Sequence, residues 1–105
     1  MTQVLNEKIS IGGDATLCVG SDKYPYTIIN FEKKVVTIQR DKILKENNKT
    51  TIVPNSDGEI LFFKKYNKRW RRVILNETTE RYIDAKSPCL YLLFGEKKWF
   101  IDPSF

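Results

Sequence analysis

A chain of 105 residues, 41% hydrophobic and 12% aromatic, closes one modest core, is too short for two domains, and holds enough apolar surface to offset the entropy of ordering. A net charge of +5 favours acidic partners: nucleic acid, nucleotides, anionic lipid or an acidic protein. The chain has no histidine, which removes the commonest general base, every Ser-His or Cys-His nucleophile pair and every imidazole metal ligand, so the expectation is a protein that is not an enzyme and carries no metal or cofactor.

The elements read as strands between turn signals. The first 14 residues, "MTQVLNEKISIGGD", contain the only candidate helix, 2–9, with poor apolar spacing, and are expected to form an arm outside the domain at 15–105. "ATLCV" (15–19) is a short apolar run ended by Gly20-Ser21-Asp22. "YTIINF" (26–31) follows Pro25, which suits a strand start because proline cannot donate to a ladder. "VVTIQR" (35–40) is β-branched and alternating, and Glu32-Lys33-Lys34 before it is short enough for a hairpin loop.

"DKILKENNKT" (41–50) is polar and lysine-rich, expected as a strand end running into a loop. "TIV" (51–53) stops at "PNSDG" (54–58), a strong turn signal. "EILFFKKY" (59–66) and "RWRRVIL" (69–75) pair across Asn67-Lys68. "RYIDA" (81–85), "CLYLLF" (89–94) and "KKWFI" (97–101) follow, the last two parted by Gly95-Glu96. Short strands at intervals near ten residues predict an all-β fold, a small SH3-like or related antiparallel barrel of five to seven strands.

The densest charge is "KKYNKRWRR" (64–72). With Asn67-Lys68 as the turn, Tyr66 faces Arg69, Lys65 faces Trp70, Lys64 faces Arg71, Phe63 faces Arg72 and Phe62 faces Val73. The hairpin is then apolar at its root and cationic at its tip. Lys64 opposite Arg71 costs up to about 1 kcal/mol, relieved by nearby carboxylates or by a bound anion. Trp70 either makes a cation–π contact with Lys65, worth roughly 0.5–1 kcal/mol, or joins Tyr66 in stacking on a base. The competing reading puts Trp70 in the core and leaves the cations as a solvated edge that resists sheet-to-sheet aggregation.

A second candidate surface is Ser21-Asp22-Lys23-Tyr24-Pro25-Tyr26, where Lys23, Tyr24 and Tyr26 offer charge, hydroxyls and rigid flat area. It serves equally as a ligand wall or as the seal of a barrel end. Asp22, Asp41, Asp57, Asp84 and Asp102 lie near turns or strand ends, where aspartate caps and bends the backbone. Gly12-Gly13 belongs to no phosphate-binding loop. Cys18 and Cys89 are expected as reduced, buried thiols in a cytoplasmic setting, since no apolar leader follows Met1. A disulfide joining them is the alternative. Nothing is long and apolar enough to cross a membrane.

Three stretches, "GSDKYPYTII" (20–29), "VVTIQRDKI" (35–43) and "PNSDGEILFFKKYNKRW" (54–70), with the ending "WFIDPSF" (99–105), resemble a group of small bacteriophage and prophage proteins. That group shares a Ser-Asp-Arg-x-Pro type turn, a Gln-Arg-Asp strand end, a Pro-Asn-x-x-Gly turn, a basic strand ending in Gly-Arg-Trp and a terminal Asp-Pro-Ser-Phe. The resemblance spans roughly residues 15–105 and implies a viral source, the host cytoplasm and a compact β-barrel, but no mechanism. Lys68 stands where the group tends to have Gly, which argues for a longer loop, because Lys at positive φ costs about 1 kcal/mol or more. Lys23 stands where the group often has Arg.

The function expected from charge, aromatics and missing catalytic groups is capture of a phosphorylated ligand, a nucleotide or nucleic acid, with a role against host defence if the ligand is a signalling nucleotide. The candidate binding residues are Lys64, Lys65, Tyr66, Arg69, Trp70, Arg71 and Arg72 with Lys23, Tyr24 and Tyr26. The alternative is a protein-interaction or assembly module whose strand edges join copies or dock on a host protein.

Overall fold

The computed structural model describes residues 9–66, 69–76, 78–84 and 90–100, without the side chains of Tyr66, Asp84 and Leu90. The fold is all-β. Nine strands follow in chain order: β1 (Asp14–Val19), β2 (Asp22–Glu32), β3 (Val35–Arg40), β4 (Lys42–Glu46), β5 (Lys49–Val53), β6 (Ile60–Tyr66), β7 (Arg69–Asn76), β8 (Arg81–Asp84) and β9 (Leu90–Phe94). Seven form an antiparallel sheet ordered β8-β7-β6-β3-β2-β1-β9, and β4 pairs only with β5.

The sheet coils, as strand twist dictates. Register places Ala15, Leu17, Tyr26, Ile28, Val36, Ile38, Leu61, Phe63 and Leu92 on one face, and these residues are the buried core. The coiling carries β9 toward β7, where Phe94 and Trp70 pack with ring centroids 5.2 Å apart. Among the described residues no ladder joins β8 to β9, and Trp70 and Phe94 pack between β7 and β9 instead.

A β-bulge interrupts β2. Ile28 pairs with Ile38, but the next partners are Asn30↔Thr37 and Phe31↔Val36. Strict alternation would set Ile28 and Phe31 on opposite faces. The extra residue puts both on the core face, a use to which bulges are commonly put.

The opposite face of β1 and β2 is covered by the chain after β9. The Thr16 hydroxyl donates to the Glu96 carbonyl at 2.8 Å and accepts the Lys98 N–H at 3.0 Å. Lys23 and Phe100 exchange backbone bonds at 2.7 and 2.9 Å. Within the expected strand over 97–101, the described residues 97–100 hold a single bridge at Phe100, because Glu96 and Lys98 give their backbone groups to the Thr16 side chain instead of a ladder. Residues 101–105 lie outside the described residues, with Asp102 and the Asp-Pro-Ser-Phe ending.

The stretch 41–50, expected as a strand end running into a loop, instead holds β4 from Lys42, a two-residue turn and the start of β5. Asn47 and Asn48 both take positive φ, 49° and 64°, the conformation that tight hairpins require and Asn tolerates. The β6–β7 ladder runs out to Tyr66↔Arg69, so the register inferred above is the one adopted, and the longer connection argued from Lys68 is not. Asn67 and Lys68 themselves lie outside the described residues, as do residues 1–8 and hence the candidate helix. Before β1, Ile9 packs on the core, and Gly12 and Gly13 exchange backbone bonds with Ile28 at 2.7 and 2.9 Å. Cys18 is a buried free thiol; Cys89 lies outside the described residues.

Candidate functional site

Strand β3 sits between β2 and β6, so the β2–β3 and β6–β7 turns lie side by side at one end of the sheet. Val35 pairs with Lys64, and the Lys65 N–H donates to the Lys34 carbonyl at 3.1 Å. Lys33 and Lys34 form the β2–β3 turn at φ 51° and 66°. This conformation favours Gly, Asn and Asp; two lysines are an unusual choice for it. The end gathers Lys33, Lys34, Lys64, Lys65, Arg69 and Arg71, six cations brought together by two short turns.

The two faces of the end differ. Lys64 and Arg71 oppose one another on the outer face. There Glu32, Lys33, Val35, Lys64, Glu80 and Tyr82 line a cleft of about 360 Å³, which sets two carboxylates among the cations. On the core face Lys65 opposes Trp70, with its ammonium 5.7 Å from the ring centroid. Trp70 makes edge-to-face contacts with Phe94 and, at 6.2 Å, with Phe31. The indole is half-buried and packs on the core. Trp70 thus packs across the gap between β7 and β9, in line with the core reading, while the cations around it form the rim.

Not all the candidates meet here. Lys23, Tyr24 and Tyr26 belong to the opposite end, beside the β1–β2 turn. Tyr26 is 1% exposed, so it cannot be part of a ligand wall; its hydroxyl donates to Glu59 at 3.2 Å. Burial first, then the Glu59 charge, push its phenol well above the ordinary range, against the pull of Arg40 and Arg72. Arg72 pairs with Phe63 on the core face, one step further from the β6–β7 turn than Arg71. Tyr24 donates to Asp22 at 3.4 Å, and Arg40 lies 4.4 Å over its ring. Lys23 is engaged through its backbone with Phe100. The side chain of Tyr66 lies outside the described residues.

Two contributors to the basic end escaped the sequence reading. Lys33 and Lys34 stand in a segment read only as a connection, and the available signal was two lysines where a two-residue turn favours Asn-Gly. Phe31 was assigned to a strand, but its exposed ring beside that turn follows from the bulge, which nothing in the local residues announces.

Asp41 is buried against Lys97 and Thr27, and in the turn before β6 it is the Asn55 side chain that caps the backbone, its Oδ1 accepting the Asp57 N–H at 3.1 Å. Among the described residues no three His, Cys, Asp or Glu groups cluster as for a metal ion, and no helix is long and apolar enough to cross a membrane. No protein-family model, no curated protein and no solved structure matches this chain.

Proposed function

We propose that this chain is a non-enzymatic binding protein that captures a phosphorylated ligand, a nucleotide or nucleic acid, on the basic end of its sheet. The supporting observation is the adjacency of two turns that bring Lys33, Lys34, Lys64, Lys65, Arg69 and Arg71 to one rim. Local cations outnumber Glu32 and Glu80, and such an excess attracts phosphate over a Debye length of about 10 Å. The resemblance to phage and prophage proteins is the ground for reading it as phage-encoded and active in the host cytoplasm, where capture of a signalling nucleotide would counter host defence.

The test is binding of mono-, di- and cyclic nucleotides, DNA and RNA at low and high salt, by thermal shift and direct titration. Affinity that falls steeply with salt is expected, because each neutralised phosphate releases counterions. No binding to any member of that panel at low salt sinks the reading.

One observation favours a second reading, an assembly or docking module. Ile74 and Ile83 pair across β7 and β8, each about half exposed (50% and 51%) at the edge of the sheet. Exposed apolar side chains on an edge strand invite pairing with another chain. That reading requires self-association or partner capture that survives high salt and is lost in Ile83→Lys.

A further inference from the structure

We propose that the ligand of the basic end is single-stranded nucleic acid, with one base stacked on Phe31 and the flanking phosphates held by Lys33, Lys34 and Lys65. This rests on the phosphate-binding reading above and narrows it.

The bulge at Ile28/Asn30 turns Phe31 to the core face, where it packs against Trp70 in a T-shaped contact. Phe31 remains 40% exposed, just before the strained Lys33-Lys34 turn. Trp70 is braced in turn by Phe94, and stacking on exposed aromatic rings is how proteins grip unpaired bases whatever their identity. Lys65, whose N–H bonds the Lys34 carbonyl, brings its ammonium to the Trp70 ring on this same face. Ring and cations thus lie together at one end of the sheet.

A duplex keeps its bases stacked inside and offers this end only phosphates. A mononucleotide would need a basic pocket, and the cleft beside the rim carries Glu32 and Glu80. A flexible strand satisfies ring and cations together.

The experiment is fluorescence anisotropy at fixed salt with oligothymidylate, oligouridylate, a duplex of equal phosphate number, and heparin. The variants are Phe31→Leu, which keeps apolar bulk without a π face, and Phe31→Tyr, which restores the ring. The expected result is that single strands bind more tightly than duplex. Phe31→Leu should weaken single-strand binding about tenfold and leave heparin unchanged, while Phe31→Tyr retains parental affinity. The two oligonucleotides separate a DNA from an RNA ligand. Equal affinity for duplex and single strand, or no loss in Phe31→Leu, overturns the inference and leaves phosphate capture standing. Failure of every polyanion, heparin included, overturns phosphate capture itself.

Discussion

Lys97 and Asp41 form an ion pair beneath the chain that crosses β1 and β2, with the Asp41 side chain fully buried and that of Lys97 16% exposed. Thr27 completes the group: its hydroxyl donates to Asp41 at 2.6 Å and accepts from Lys97 at 2.7 Å. Two residues far apart in the chain are thereby bound to the middle of β2, and the segment after β9 is fastened to the sheet.

Removing one partner of a buried pair strands the other charge away from water, which costs roughly 3–5 kcal/mol. Lys97→Met is expected to lower stability by that order in urea unfolding. Lys97→Met with Asp41→Leu should recover much of the loss, because the pair's desolvation cost goes with it. Equal midpoints for parent and single variant would show that the pair is solvated and the clamp unimportant.

Gly58 is required for close approach and not for its backbone angle. A methyl group built there lies 2.0 Å from the Arg40 carbonyl oxygen and 3.1 Å from that of Asn55. Both are backbone, so neither yields cheaply. Gly58→Ala is expected to cost about 1–3 kcal/mol, the range for overpacking. The strain should appear next door, where the Arg40 N–H donates to the Glu59 carbonyl at 2.8 Å. Faster hydrogen exchange at the Arg40 amide is the specific sign, and an unchanged rate there would count against this account.

How much of this was legible varies with range along the chain. The β6–β7 register, pair for pair from Phe62↔Val73 to Tyr66↔Arg69, was readable because a two-residue connection leaves one alignment. The same local logic could not see that β7 would meet β9, since Trp70 and Phe94 are joined only by the coiling of the whole sheet. The residues around Trp70 therefore left core and surface roles both open for it. For Tyr26 the ligand-wall and barrel-seal roles stay open in the sequence for a similar reason: its parity puts it inward, but its neighbour Glu59 arrives from another turn. The Lys97–Asp41 clamp had no signature at all, because a lysine in a polar tail carries no mark of burial.

Tyr26 gives the fold a sensitivity to alkali. Its folded value stands above the unfolded one because burial and Glu59 oppose the phenolate. The stabilisation is therefore complete below the unfolded value of about 10 and is lost as pH rises from there through the folded value. In a spectrophotometric titration of the five tyrosines, the Tyr26 phenol should ionise late, together with loss of structure. Tyr26→Phe should lower the late-ionising amplitude by one phenol and flatten the fall in stability above about pH 10. Early ionisation of all five in the folded parent would contradict it.

The Lys33-Lys34 turn sets stability against binding. Each lysine sits at positive φ, where a side chain with a Cβ pays roughly 1–2 kcal/mol. The neighbouring β4–β5 turn meets the same demand with Asn47-Asn48, so the fold has a less strained solution and does not use it here. Strain of this kind persists where something other than stability keeps the residues. Lys33→Asn with Lys34→Gly installs the favoured turn pair and removes two rim charges. The variant is expected to be more stable by about 1 kcal/mol, allowing for the greater unfolded freedom of Gly, which raises Tm by roughly 4 °C or more. It should also bind phosphorylated polymers more weakly and with a shallower salt dependence, the slope falling by nearly one for each phosphate no longer neutralised. Higher Tm with weaker binding is the signature of a turn kept for its charge. Higher Tm with undiminished binding would mean that these lysines do not touch the ligand, and would leave phosphate capture to Lys64, Lys65, Arg69 and Arg71 alone.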